Sequence, residues 1–208
     1  MWDRNMLSFT RLLLIAFTSV ATGFAAENPH AILPETGWPV QTGGAVLSSP
    51  CLADLDGDRR LEVIVGSYDS HVYVLNAKGE SFFARAWKTG GPVVASPSVG
   101  DLRGDGNLCV VVGSRDGSVY AWDHQGQSVP GWPRQTGGPV FSSAALGYLE
   151  NDSQLSIVVG NENGVLHAFR SDGTPLPGWP VDLGDPVHAS PAIADLDRDG
   201  QKEVIVTS

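Results

Sequence analysis

Gly66, Gly113 and Gly160 each close a short apolar run, and they stand 47 residues apart. The same spacing carries Ser49, Ser96, Ser143 and Ser190, then Gly79, Gly126 and Gly173, then Gly43, Gly90, Gly137 and Gly184. A fixed period of this length predicts a repeat architecture, in which each unit buries its apolar surface against the next. Units near 45–91, 92–138 and 139–185 are complete, and 186–208 holds part of a fourth.

Within one unit, the runs Val63 to Val65, Val110 to Val112, Ile157 to Val159 and Val204 to Val206 are apolar throughout, which predicts a strand covered on both faces. A turn follows at Asp69-Ser70, Asp116-Gly117 or Asn163-Gly164, and then a second strand of β-branched and aromatic residues. A fourth strand is placed through the recurring Gly-Trp-Pro of residues 131–133 and 178–180. Four short antiparallel strands per unit predict an all-β fold, a β-propeller of four-stranded blades with an incomplete ring of about three and a half. Gly37-Trp38-Pro39 repeats the same motif, so residues 31–41 read as the outer strand of a preceding blade. An exposed sheet edge is expected at the unfinished fourth blade, to be completed by further blades or by another chain.

Residues 1–25 carry Arg4 and Arg11, the apolar run Leu12 to Val20 and small residues up to Ala25, the pattern of a cleaved secretory signal. The apolar stretch is short for a membrane anchor, and no later segment is long and apolar enough to span. Export places the mature chain outside the cytoplasm, secreted or periplasmic. The net charge of -10 argues against nucleic acid and anionic membranes as partners, and in favour of cations. Cys51 and Cys109 fall at non-equivalent places in the repeat; an oxidising compartment permits a disulfide between them and the spacing does not require one.

Just before the buried strand, unit one reads Asp54, Asp56, Asp58 and Glu62 at positions 1, 3, 5 and 9 of a short loop, and unit four reads Asp195, Asp197, Asp199 and Glu203. Carboxylates so spaced bend toward one point, and their mutual repulsion calls for a cation. Calcium suits such a set, since it takes six to eight hard oxygens; the carbonyls of Arg60 and Gln201 at position 7 would add to it. The alternative is a pair of solvated acidic turns, which Asp and Gly favour anyway.

The pattern Asp-x-Asp-x-Asp-Gly-x-x-Glu, met in unit four and followed by an apolar strand, resembles the FG-GAP or VCBS repeats of integrin-alpha-like propellers. The resemblance covers about residues 35–208 and implies calcium sites at the loops whose residues match, those of units one and four. Unit one has Arg59 at position 6, where the family has glycine, so a strained loop is expected there. Unit two has Arg103 at position 3 and Cys109 at position 9, so no calcium is expected; Arg103 should bridge Asp101 and Asp105 in its place. Unit three offers Tyr148, Glu150, Asp152 and Ser156, too few carboxylates for a site.

Trp38, Trp132 and Trp179 recur with the period and read as packing residues, whereas Phe82, Phe83 and Phe141 break it. The five histidines show no zinc spacing, and no nucleophile elbow or phosphate loop is present. The expected function is a calcium-binding extracellular module for a protein or glycan ligand, without catalysis. The competing readings are a propeller enzyme, either a polysaccharide lyase or a quinoprotein-like dehydrogenase, and a purely structural spacer.

Overall fold

The computed structural model describes residues 36–150 and 153–208. The expected secretory signal, residues 1–25, and the part of the expected outer strand before residue 36 lie outside the described residues. Each complete unit forms one antiparallel sheet in sequence order. The first holds β1 (Cys51–Ala53), β2 (Glu62–Gly66), β3 (His71–Leu75) and β4 (Trp87–Lys88). The second holds β5 (Ser98–Gly100), β6 (Cys109–Gly113), β7 (Ser118–Asp123) and β8 (Arg134–Gln135). The third holds β9 (Ala145–Gly147), β10 (Ser156–Gly160), β11 (Val165–Phe169) and β12 (Val181–Asp182). The fourth pairs only β13 (Ala192–Ala194) with β14 (Glu203–Ile205). These are propeller blades in an incomplete ring, as the repeat predicts, with β1, β5, β9 and β13 neighbouring one another along the inner side.

All residues of β2, β6 and β10 are buried, and their alternate side chains feed two different cores. Val110 and Val112 join Ile64, Val72 and Val74 between blades one and two. Cys109 and Val111 join Ile157, Val159 and Phe169 between blades two and three. Period-2 alternation thus survives inside strands that read as continuously apolar, because both faces meet a neighbouring sheet. Burying one such side chain contributes up to about 1.5–3 kcal/mol.

The closing glycines of β2, β6 and β10 are required by close approach. A Cβ on Gly66, Gly113 or Gly160 would lie 2.3, 2.2 or 2.1 Å from Cγ1 of Val93, Val140 or Val187, the fully buried valines of the next blade. Hydrogen bonds also cross each boundary. The amides of Ser49, Ser96 and Ser143 donate to the hydroxyls of Ser96, Ser143 and Ser190, each 47 residues on, at 2.9, 2.9 and 3.2 Å.

The tryptophans pack as expected. Trp38 and Trp132 are buried, and their Nε1 groups donate to the carbonyls of Ala77 and Ser171 in the following blade, at 3.0 and 2.8 Å. Trp132 also meets Phe169 edge-on at 5.7 Å. Trp38 therefore caps blade one from the preceding side, although residues 36–41 form no strand. The fourth strands do not run through Gly-Trp-Pro. They start after it and span two residues, because that segment turns toward the next blade, with a cis Trp–Pro bond in all three copies. Val181 and Leu183 of the third blade and Leu196 and Ile205 of the fourth are exposed, matching the expected open face.

Cys51 and Cys109 are free. One stands on β1 and the other on β6, in separate apolar clusters, so the repeat offset keeps them unpaired. Among the described residues, no helix is long and apolar enough to cross a membrane.

Candidate metal centre

The β1–β2 and β13–β14 connections lie on the same edge of their blades, since the strand order is a simple meander. Each is pinned from within by its own carboxylates. Asp54 accepts from the amides of Gly57 (2.8 Å) and Arg59 (2.9 Å), Asp56 from Asp58 (3.1 Å), and Asp58 from Arg60 (2.7 Å). In the fourth blade Asp195 accepts from Gly200 (3.2 Å), Asp197 from Asp199 (3.1 Å), and Asp199 from Gln201 (2.7 Å).

This winding brings Asp54, Asp56 and Asp58 together, and likewise Asp195, Asp197 and Asp199, with one carboxylate oxygen of each residue within 4.8 Å of the others in its group. Position 9 stands apart from the triads. Glu62 accepts from the Leu55 amide at 2.9 Å, and Glu203 from the Leu196 amide at 2.7 Å, so both glutamates brace the loop's second residue. Burial raises the Glu62 carboxyl above its ordinary value, and the charges of Asp56, Asp58 and Asp54 add to the rise against the Leu55 hydrogen bond.

Positions 4 and 6 take left-handed backbone. The pairs are Gly57 (φ 78°) with Arg59 (φ 70°), and Arg198 (φ 64°) with Gly200 (φ 92°). The strain expected at Arg59 is present, and the fourth-blade loop, the better match in sequence, carries the same burden at Arg198. Neither triad makes an ion pair among the described residues. The Asp195 Oδ1 atom is buried without a hydrogen-bond partner, an arrangement that suits a cation ligand.

The other two loops balance their charge with arginine. In blade two Arg103 Nε lies 2.9 Å from Asp105 Oδ2, a charge contact off the line of its N–H. It pairs with Asp105 and does not bridge, for Asp101 is taken by the amides of Asp105 and Gly106 at 3.1 and 2.7 Å. The Asn107 amide, with the Arg103 charge, holds the Asp105 carboxyl below its ordinary value. In blade three Arg170, just past β11, grips Glu150 with both ends of its fork at 2.6 and 2.7 Å. Sequence reading missed Arg170. The signal was there, since the equivalent positions hold Asn76 and Asp123, and arginine appears only where the loop has lost its triad.

Among the described residues the histidines do not cluster. His71 lies beside Asp69, His167 contacts the Thr136 carbonyl, and His188 meets Glu162.

Residues 54–112 match the family described as FG-GAP-like repeat. Among curated proteins no sequence matches this chain. Similar solved structures include BBS1N, crystallised in complex with ARL6DN, at 20% identity and TM-score 0.53 over 84% of this chain and 50% of that one. BamB from Moraxella catarrhalis is 16% identical with TM-score 0.54, over 73% of this chain and 42% of that one. The computationally designed Ika4 protein is 18% identical with TM-score 0.53, over 80% and 94%. At these identities the likeness is one of fold. This chain spans about half the length of the BBS1N chain.

Proposed function

We propose, from the premise that this chain is a β-propeller segment carrying an FG-GAP-like repeat, that it is an exported calcium-stabilised module that binds a protein or glycan partner without transforming it. The observation that carries the reading is the contrast among the four loops. Two hold converged aspartate triads with no basic side chain paired to them, and two hold a carboxylate matched by an arginine. Three carboxylates within 4.8 Å repel one another unless a cation sits among them.

Asp54, Asp56 and Asp58 with the Arg60 carbonyl would hold one ion, and Asp195, Asp197 and Asp199 with the Gln201 carbonyl another. Glu62 and Glu203 would complete the sets through the oxygen that their amide bonds leave open. Calcium supplies charge neutralisation and ties the first strand of a blade to its second. The reading assigns the chain to binding and not to catalysis. BBS1N is crystallised in complex with ARL6DN, and a protein or glycan held by propeller loops is the mode assigned here. The signal-like residues 1–25 support export.

Calorimetric titration of the full chain with calcium tests the reading. Two ions per chain are expected, with a higher unfolding temperature, and Asp195→Asn/Asp199→Asn should remove one ion and leave the fold intact. Absence of binding heat and of any thermal shift would make the loops solvated acidic turns.

A further inference from the structure

Two positions of the repeat keep their backbone and change their side chain from blade to blade. Leu47, Val94, Phe141 and His188 share one of them, in the segment that leads into each blade, and Tyr68, Arg115 and Glu162 share the other, in the turn after β2, β6 and β10. The amides of Tyr68, Arg115 and Glu162 donate to the carbonyls of Ala45, Pro92 and Pro139 at 2.8, 2.9 and 2.8 Å, so one backbone bond sets both positions in three blades. These turns lie at the opposite edge of each blade from the aspartate loops, since each sheet is a meander.

The variable side chains join into a row across the blade boundaries. Arg115 Nη1 donates to the Tyr68 hydroxyl at 2.5 Å, and the guanidinium carbon lies 5.7 Å from the Tyr68 ring centre and 5.1 Å from that of Phe141. Phe141 meets the His188 ring at 5.4 Å, and His188 contacts Glu162. The row faces solvent: Leu47 is 66% exposed, Tyr68 43%, and Arg115 is exposed as well. In a chain of net charge -10, Arg115 makes no ion pair among the described residues. The carboxylates of the same turns are engaged elsewhere. Asp69 accepts from the His71 amide and the Tyr73 hydroxyl, and Asp116 from the Ser118 and Gly90 amides and the Tyr120 hydroxyl.

We infer that this row docks an acidic segment of a protein partner, with an aspartate or glutamate of that segment seated on Arg115. Tyr68 and Phe141 hold the guanidinium in place before the partner arrives, which lowers the cost of ordering it on binding. One N–H is spent on the Tyr68 hydroxyl, and the others are left for a carboxylate, which the planar fork takes through parallel bonds. Tyrosine, phenylalanine and arginine are the side chains enriched at protein interfaces, and Leu47 adds exposed apolar surface at the end of the row. A saccharide fits less well, because the guanidinium already lies over the two rings on which a sugar would stack. The inference rests on the module reading in that the partner is bound and not transformed; it selects protein over glycan and names the face.

The test selects displayed random twelve-residue peptides on the full chain and measures the enriched sequences, as fluorescent synthetic peptides, by anisotropy. Enriched peptides are expected to carry aspartate or glutamate beside an apolar residue, and to bind at least tenfold more weakly to Arg115→Gln and to Tyr68→Ala. Both side chains are exposed, so an unchanged unfolding midpoint certifies the fold of each variant. No enrichment, enriched peptides without a carboxylate, or undiminished binding to Arg115→Gln overturns the inference. So does saturable binding of galacturonic-acid trisaccharide that Arg115→Gln abolishes, which would give the face to glycans. Calcium titration of the same sample reads the metal sites separately, so failure at this face does not mimic failure of the calcium-stabilised module.

Discussion

Arg59 and Arg198 both hold left-handed backbone, at φ 70° and 64°, yet Arg59 sits at position 6 of its loop and Arg198 at position 4. Each aspartate triad is therefore built on one glycine and one arginine in a conformation that costs an L-residue about 1–2 kcal/mol. Glycine relieves that strain and adds about 0.5–1 kcal/mol of unfolded-state entropy cost. Arg59→Gly and Arg198→Gly should each stabilise the chain by about 0.5–1 kcal/mol. Chemical denaturation in chelator checks this, and an unchanged or lower midpoint would count against it.

Blade two supplies the complementary experiment. Its loop already has Gly104 and Gly106 at the two left-handed positions, at φ 68° and 85°, and carboxylates at Asp101 and Asp105. Arg103→Asp completes the triad and removes the charge that balances Asp105. The expected result is one more calcium ion per chain by calorimetry than the unaltered protein binds.

Trp132 joins blades two and three by a hydrogen bond and by contact with Phe169, and it is buried. Trp132→Ala should cost about 3–5 kcal/mol, the range for an aromatic removed from a core. Trp179→Ala should cost less, because Trp179 is only half-buried beside the open end. Paired urea melts distinguish the two.

His167 occupies the place that Tyr73 and Tyr120 hold in the other blades. Burial pushes its imidazole below the ordinary value of 6.5, against a smaller opposing effect of the Thr136 carbonyl. Above pH 6.5 the ring is neutral in both states and stability is complete. As pH falls below 6.5 the unfolded chain takes up the proton first, so stability declines until the folded ring also titrates. His167→Gln should remove this limb from the plot of unfolding temperature against pH, while leaving the acid limb of Asp116. There burial would raise the carboxyl, but the bonds from Tyr120, Ser118 and Gly90 hold it below 3.8. That contribution is therefore lost only as pH falls through the lowered value.

The blades were legible because repeated chemistry leaves a repeated trace. Val63 to Val65 and its equivalents could be read as strands covered on both faces from apolarity alone, and the glycine after each run marked the close approach of Val93, Val140 or Val187. The triads were legible from spacing, since alternate loop residues turn the same way. What spacing does not encode is which oxygen faces which donor. Nothing in the position of Glu62 says that it turns to the Leu55 amide, and nothing in Asp101 says that it spends its oxygens on two backbone amides. Arg170 escaped for another reason. It is a departure from the repeat, and its meaning depends on what stands across the blade, at Glu150.

The serine bonds at the blade boundaries all run one way, from the amide of the earlier copy to the hydroxyl of the later. Every junction therefore has the same polarity and the same shape, like links that fit only nose to tail. An array built so can lengthen or shorten by whole 47-residue units without any junction changing its geometry, and a unit shuffled to a new rank still presents a matching donor and acceptor. Individual loops are then free to diverge, toward metal in one blade and arginine in the next, while the chain of blades stays in register.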